Sequence, residues 1–200
     1  MSELRRKLES DLEIMEEMAA KMDSYLSSDS LFWNMGPGLP ALTLGGFLMR
    51  QYRLDGLSDM LSERNESRFL ATARKVNGLL SERVVAFEQK AHQEIDSRIR
   101  QWQEYLRDRD WEESQKELKA HQKRYPTAVE ARAMLHALTE TLRTPPYQLD
   151  EQVPQRIEAL DKRQRGQWQD GEFVWTEGME PAYPKDGFWW LYGRFRTDGS

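Results

Sequence analysis

The chain has no cysteine. Disulfides, thiolate metal sites and thiol nucleophiles are therefore excluded, and the reducing cytoplasm is the expected location. Long apolar runs are also missing. The uncharged stretch Leu31–Met49 is interrupted by Gly36, Pro37, Gly38, Pro40, Gly45 and Gly46. That is too many helix breakers for the roughly 20 apolar residues of a membrane span. The start, MSELRRKLES, lacks the apolar core of a signal peptide, so none is expected. There is no long basic run. Net charge is −5, and the first 29 residues hold four Lys/Arg against eight Asp/Glu. Nucleic-acid binding needs a basic face to neutralise phosphates and is not expected. The short run Lys162-Arg163-Gln164-Arg165 is diluted by Glu158 and Asp161, and cations are favoured at a helix C-terminus in any case.

Catalytic signatures are equally scarce. Neither a G-x-S-x-G elbow nor an S-x-x-K motif occurs. The glycines of Met35-Gly36-Pro37-Gly38 and Leu44-Gly45-Gly46 lack the Lys and Ser/Thr of a phosphate loop. No catalytic residue, metal or cofactor is expected. Glu88, His92 and Asp96 stand four apart on one helix face, a spacing that suits a metal ion. No second ligand pair accompanies them, and a solvated charged face is the expected reading. His121 and His136 flank the Pro126 turn and are read as ordinary boundary histidines.

What the chain does have is helical periodicity. In 200 residues, 38% are apolar and 32% charged, a balance that suits long amphipathic helices. The first helix is expected over Ser2–Leu26, with Leu4, Leu8, Leu12, Met15, Ala19, Met22 and Leu26 on one face. A short helix apolar nearly all round is expected over Pro40–Tyr52, central to the core, with Pro40 in its first turn. Gly45 and Gly46 weaken it and imply close approach of another helix. From Phe69 to Leu106 the apolar stripe is Phe69, Ala73, Val76, Leu80, Val84, Phe87, Ala91, Ile95, Ile99, Trp102 and Leu106. A helical pattern over about Ser58–Arg107 has candidate breaks near Asn65 and at Asn77-Gly78, but the stripe stays in phase across Gly78, which favours one nearly straight helix on the order of 60 Å long at 1.5 Å per residue. Further helices are expected over Trp111–Arg124 (Glu112 paired with Lys116), from the capping box Thr127/Glu130 to Arg143, and over Val153–Arg165 behind Asp150.

The tail from Gln167 is different: Trp168, Phe173, Trp175, Tyr183, Phe188, Trp189, Trp190, Tyr192 and Phe195 are punctuated by Gly and Pro. Two strands are expected, Glu172–Thr176 and Phe188–Phe195. The fold class is thus mainly α: an elongated helical bundle over residues 1–166, with an aromatic C-terminal segment, 167–200, packed on it as a small β-hairpin or extended segment.

One family resemblance is visible. Tyr105, Asp110-Trp111-Glu112-Glu113, Ser114, Leu118, Tyr125-Pro126 and Glu130-Ala131 resemble a single tetratricopeptide-repeat helix pair over about residues 98–142. Trp102 and His121 depart from its pattern of small residues. The resemblance implies an interaction scaffold.

Together these features point to a non-enzymatic helical interaction protein, a scaffold or adaptor, whose partner is another protein or a second copy of itself. Trp and Tyr are enriched at binding hot spots, so Trp33, Met35, Trp175, Trp189, Trp190 and Tyr192 are the candidate partner-binding residues. The alternative is a ligand-binding or enzymatic protein with a pocket between the helices and the aromatic tail, where His136, Tyr192 and Arg194 are the candidates.

Overall fold

The computed structural model describes residues 3–110 and 115–196, without the side chains of Asp110 and Gln115. Trp111, Glu112, Glu113 and Ser114, which carry part of the repeat resemblance and the Glu112–Lys116 pair, lie outside the described residues, as does Ser2. Among the described residues there are seven α-helices: α1 Glu3–Leu26, α2 Leu44–Gly56, α3 Glu63–Glu82, α4 Val84–Asp110, α5 Gln115–Ala128, α6 Glu130–Leu142 and α7 Val153–Gly166. A two-stranded hairpin, β1 Trp168–Phe173 and β2 Tyr192–Phe195, closes the chain. The fold is mainly α with a small aromatic hairpin.

The stripe of α1 is buried from Leu8 to Leu26, and ten of the eleven stripe residues from Phe69 to Leu106 are buried, Val84 being half-buried. The expected single long helix is nevertheless interrupted. Asn77-Gly78 lies inside α3, and the break falls at Arg83, with φ −120° and ψ 45°. The two halves then serve different neighbours: α3 packs on α1, and α4 on α6 and α7. Phase across a break does not reveal the break, because one non-helical residue shifts direction more than it shifts periodicity.

The helix expected from Pro40 begins at Leu44 instead. Trp33 and Leu42 exchange backbone hydrogen bonds of 3.1 and 2.9 Å, and Pro40 lies in the loop between them, outside any helix. Thr43 then caps α2, its Oγ1 accepting the Gly46 N–H at 2.9 Å. The expectation for Gly45 holds. A Cβ there would stand 2.7 Å from Glu94 Oε1 on α4 and 3.0 Å from Met134 Cβ on α6. Its own N–H donates to the fully buried Glu94 carboxylate at 2.8 Å.

Two helix-start signals act differently from their sequence reading. Thr127 lies inside α5 with Pro126, and the two helices are separated only by Val129, so α6 starts without a side-chain cap. The Pro126 carbonyl accepts instead from the Trp175 indole N–H at 2.8 Å. Asp150 sits two residues before the N-cap of α7, and its carboxylate accepts the Gln152 N–H at 2.7 Å.

The hairpin pairs Trp168 with Phe195 and Phe173 with Tyr192, with an irregularity between Asp170 and Phe173. Both strands are displaced from expectation. Residues 188–191 form a 3₁₀ turn, closed by Leu191 N–H to the Phe188 carbonyl at 2.8 Å, rather than a strand. A strand would have sent successive side chains to opposite faces; the turn buries Phe188, Trp190 and Leu191 together. The core runs without interruption from α1 through the tail.

Close approach at Gly45 predicts that Gly45→Ala destabilises the fold by about 1–3 kcal/mol through overpacking. Gly78 is exposed, with nothing within 4 Å of a built Cβ, so Gly78→Ala stabilises by about 0.5–1 kcal/mol. Urea denaturation of both variants checks the opposite signs.

Candidate functional site

On α1, Leu4, Leu8, Asp11 and Met15 follow the spacing of one inward face, so Asp11 is carried into the core with them. Its side chain is 0% exposed. Burial of a carboxylate without partners is prohibitively unfavourable, and α2 supplies them. Arg53, 2% exposed, donates from Nη1 to Asp11 Oδ2 at 2.6 Å. Arg50 Nε lies 3.4 Å from Oδ1, and Lys7 Nζ donates to Oδ1 at 3.2 Å. Burial alone would raise the Asp11 pKa, but Arg53, Lys7 and Arg50 outweigh it and hold the carboxyl below its ordinary value.

The tail completes the cluster. Arg53 Nε donates to the Tyr183 hydroxyl at 3.2 Å, and the guanidinium stands 5.0 Å from the centre of the Trp175 ring. Burial raises the Tyr183 pKa although Arg53 pulls it down, so the phenol stays neutral. Tyr192 donates its hydroxyl proton to the Tyr183 carbonyl at 2.8 Å. Gly178, at φ +89°, turns the tail against α1; a Cβ there would stand 2.8 Å from Leu4 Cδ2. Three distant segments thus meet on the Asp11–Arg53 pair.

Above Arg53 opens a cleft of about 330 Å³, at the small end of the roughly 300–1,000 Å³ of ligand sites. Its apolar walls are Pro126, Val174, Trp175 and Met179. Its polar groups are Lys7, Arg53, Glu3, Glu130 and Thr176. Among the described residues no hydrogen bond falls on Arg53 Nη2, since the internal partners take Nη1 and Nε.

Of the sequence candidates, Trp175 lines this cleft. His136, Tyr192 and Arg194 do not come together. His136 is packed between Tyr52 and Phe188, at 5.4 and 4.6 Å between ring centres. Tyr192 packs on Phe173, and Arg194 lies in a separate groove of about 480 Å³ beside Asp170 and Glu172. Met35 and Trp190 are core residues, the latter under Arg132. Trp33 and Trp189 are half-buried, Trp189 beneath Arg165 at 3.9 Å. Asp11, Arg53 and Tyr183 were not singled out from sequence; an acid at an inward position of the α1 stripe was the available signal.

The Glu88, His92 and Asp96 face is occupied by protein. Glu88 accepts the Gln148 N–H at 2.7 Å, His92 Nε2 accepts the Asp150 N–H at 3.1 Å, and Asp96 pairs with Arg156 at 2.6 Å. The three side chains dock the segment leading into α7. Among the described residues no group of three His, Asp or Glu side chains is placed to hold a metal ion, and no helix is long and apolar enough to cross a membrane. His121 stacks on Tyr105 at 4.0 Å in an aromatic cluster with Phe195. No protein-family model matches the chain, and neither a curated protein nor a solved structure does.

Asp11→Asn leaves Arg53 and Arg50 buried without their counter-charge and is expected to destabilise the fold by about 3–5 kcal/mol in chemical denaturation. Burial lowers the His136 pKa to about 4, helped by Arg132. The unfolded chain therefore takes up this proton first, and stability falls as pH drops from 6.5 towards 4. The loss is at most about 3 kcal/mol, from roughly 1.4 kcal/mol per pKa unit. Denaturation midpoints across that range, steep in wild type and flatter in His136→Leu, check it.

Proposed function

We propose that this chain is a binding protein rather than an enzyme, and that it takes its ligand in the cleft between α1, α2, the α5–α6 junction and the aromatic tail. The observation that carries this reading is Arg53. It is a buried, permanently charged group that lines the cleft, fixed by Asp11 and Tyr183 and backed by Trp175, with no hydrogen-bond partner on Nη2 among the described residues. A few fixed polar groups on apolar walls are what a preformed ligand site requires, and fixing them beforehand reduces the ordering cost of binding. The sequence alternative also placed a pocket between helices and tail, but with His136, Tyr192 and Arg194, none of which lines this cleft.

Self-association, the first expectation from sequence, has less behind it. The exposed large apolar side chains Phe32, Met60, Leu70 and Val85 lie on four different segments. Most of the aromatic anchors expected for an interface are packed into or against the core.

A fragment screen read by nitrogen–proton correlation spectra tests the proposal. Binders are expected to shift the Trp175 indole N–H saturably, and Thr176→Trp, which fills the cleft from its rim, is expected to abolish the shifts without lowering the melting temperature. Binders that leave Trp175 unmoved and act elsewhere, or none at all, contradict it.

A further inference from the structure

Resting on the reading of this cleft as a binding site, we infer that its ligand is a small zwitterion with an apolar body, such as a free amino acid, its carboxylate on Arg53 and its ammonium between Glu3 and Glu130.

The charges lining the cleft are two of each sign: Lys7 and Arg53 against Glu3 and Glu130. Both of these cations pair with the buried Asp11, which a third, Arg50, also approaches. The floor of the site is therefore electropositive, while the lip is acidic. Glu130 is near enough to Arg50 to favour its charged form, so the lip carboxylate and the floor cations share one field.

A ligand bearing only an anion gains Arg53 Nη2 but meets two carboxylates. One bearing only a cation gains the carboxylates but meets the buried guanidinium. Like charges brought together in a partly desolvated site oppose binding and serve as discrimination. A molecule carrying both charges meets an opposite partner at each. Its apolar body has Val174, Trp175 and Met179 to lie against. The volume of about 330 Å³ favours a single small molecule over a length of peptide.

A chain terminus presents one of these charges and an amide in place of the other, which separates it from the free zwitterion. The test uses three probes of one shape: phenylalanine, N-acetylphenylalanine as the C-terminal mimic and phenylalanine amide as the N-terminal mimic. Each is titrated against the intact protein while the Trp175 indole N–H is followed. Phenylalanine is expected to bind at least about tenfold more tightly than either derivative, the size of one charged hydrogen bond. The double variant Glu3→Gln/Glu130→Gln is expected to remove that advantage and leave N-acetylphenylalanine binding no weaker. N-acetylphenylalanine binding as tightly as phenylalanine overturns the inference in favour of an anion site, and the amide doing so overturns it in favour of a cation site. If fragments shift Trp175 but none of the three probes does, the zwitterion is wrong and the cleft stands. If nothing shifts Trp175, the binding site itself is wrong.

Discussion

The contact between Asp11 and Arg53 organises this molecule. A carboxylate on the inward face of α1 has no aqueous alternative once the helix packs, so its position dictates that α2 must arrive with a cation. The same guanidinium then fixes the tail through Tyr183 and Trp175. A buried ion pair adds little net stability compared with apolar residues of the same size. What it does here is set register. The pairing admits one placement of α1, α2 and the segment 175–183 relative to one another, and the cleft is the space that placement leaves open.

Aromatic residues do the rest of the docking. Tyr125 is buried among Trp102, Trp168 and Phe195, and its hydroxyl donates to the Trp190 carbonyl while accepting from Gln164. Arginines cover outward ring faces, Arg132 over Trp190 and Arg165 over Trp189. Rings that read as interface anchors in the sequence are therefore largely closing a core that the helices alone leave open. Trp175 is the exception. Its ring backs Arg53, its N–H satisfies the carbonyl freed at the α5–α6 break, and a face of it borders the cleft.

Helix faces were legible in the sequence because burial imposes a period: the α1 stripe and the run from Phe69 to Leu106 are inward almost residue for residue. The close packing implied by Gly45 was legible too, since a glycine inside a helix needs a reason. Breaks and caps were harder. Arg83 is an ordinary helix former, and nothing local marks it as a junction; the turn there is imposed by which neighbours each half meets. The capping box at Thr127 failed because Pro126 and Trp175 satisfy that junction differently. The strand expected over residues 188–195 starts only at Tyr192, because the turn before it buries two rings and a leucine, Phe188, Trp190 and Leu191, together. Of the site, Trp175 was visible from composition. Arg53 and Tyr183 were not, because 130 residues separate them and only the fold shows that they meet.

A double-mutant cycle on Asp11 and Arg53 tests the organising role of their contact most directly. Stability is measured for Asp11→Asn, Arg53→Gln and the pair by urea denaturation. The structure predicts strong coupling, with the double variant more stable than the sum of the single losses implies by about 2 kcal/mol or more. Additivity to within about 0.5 kcal/mol would mean that the two groups act independently, and would contradict the account.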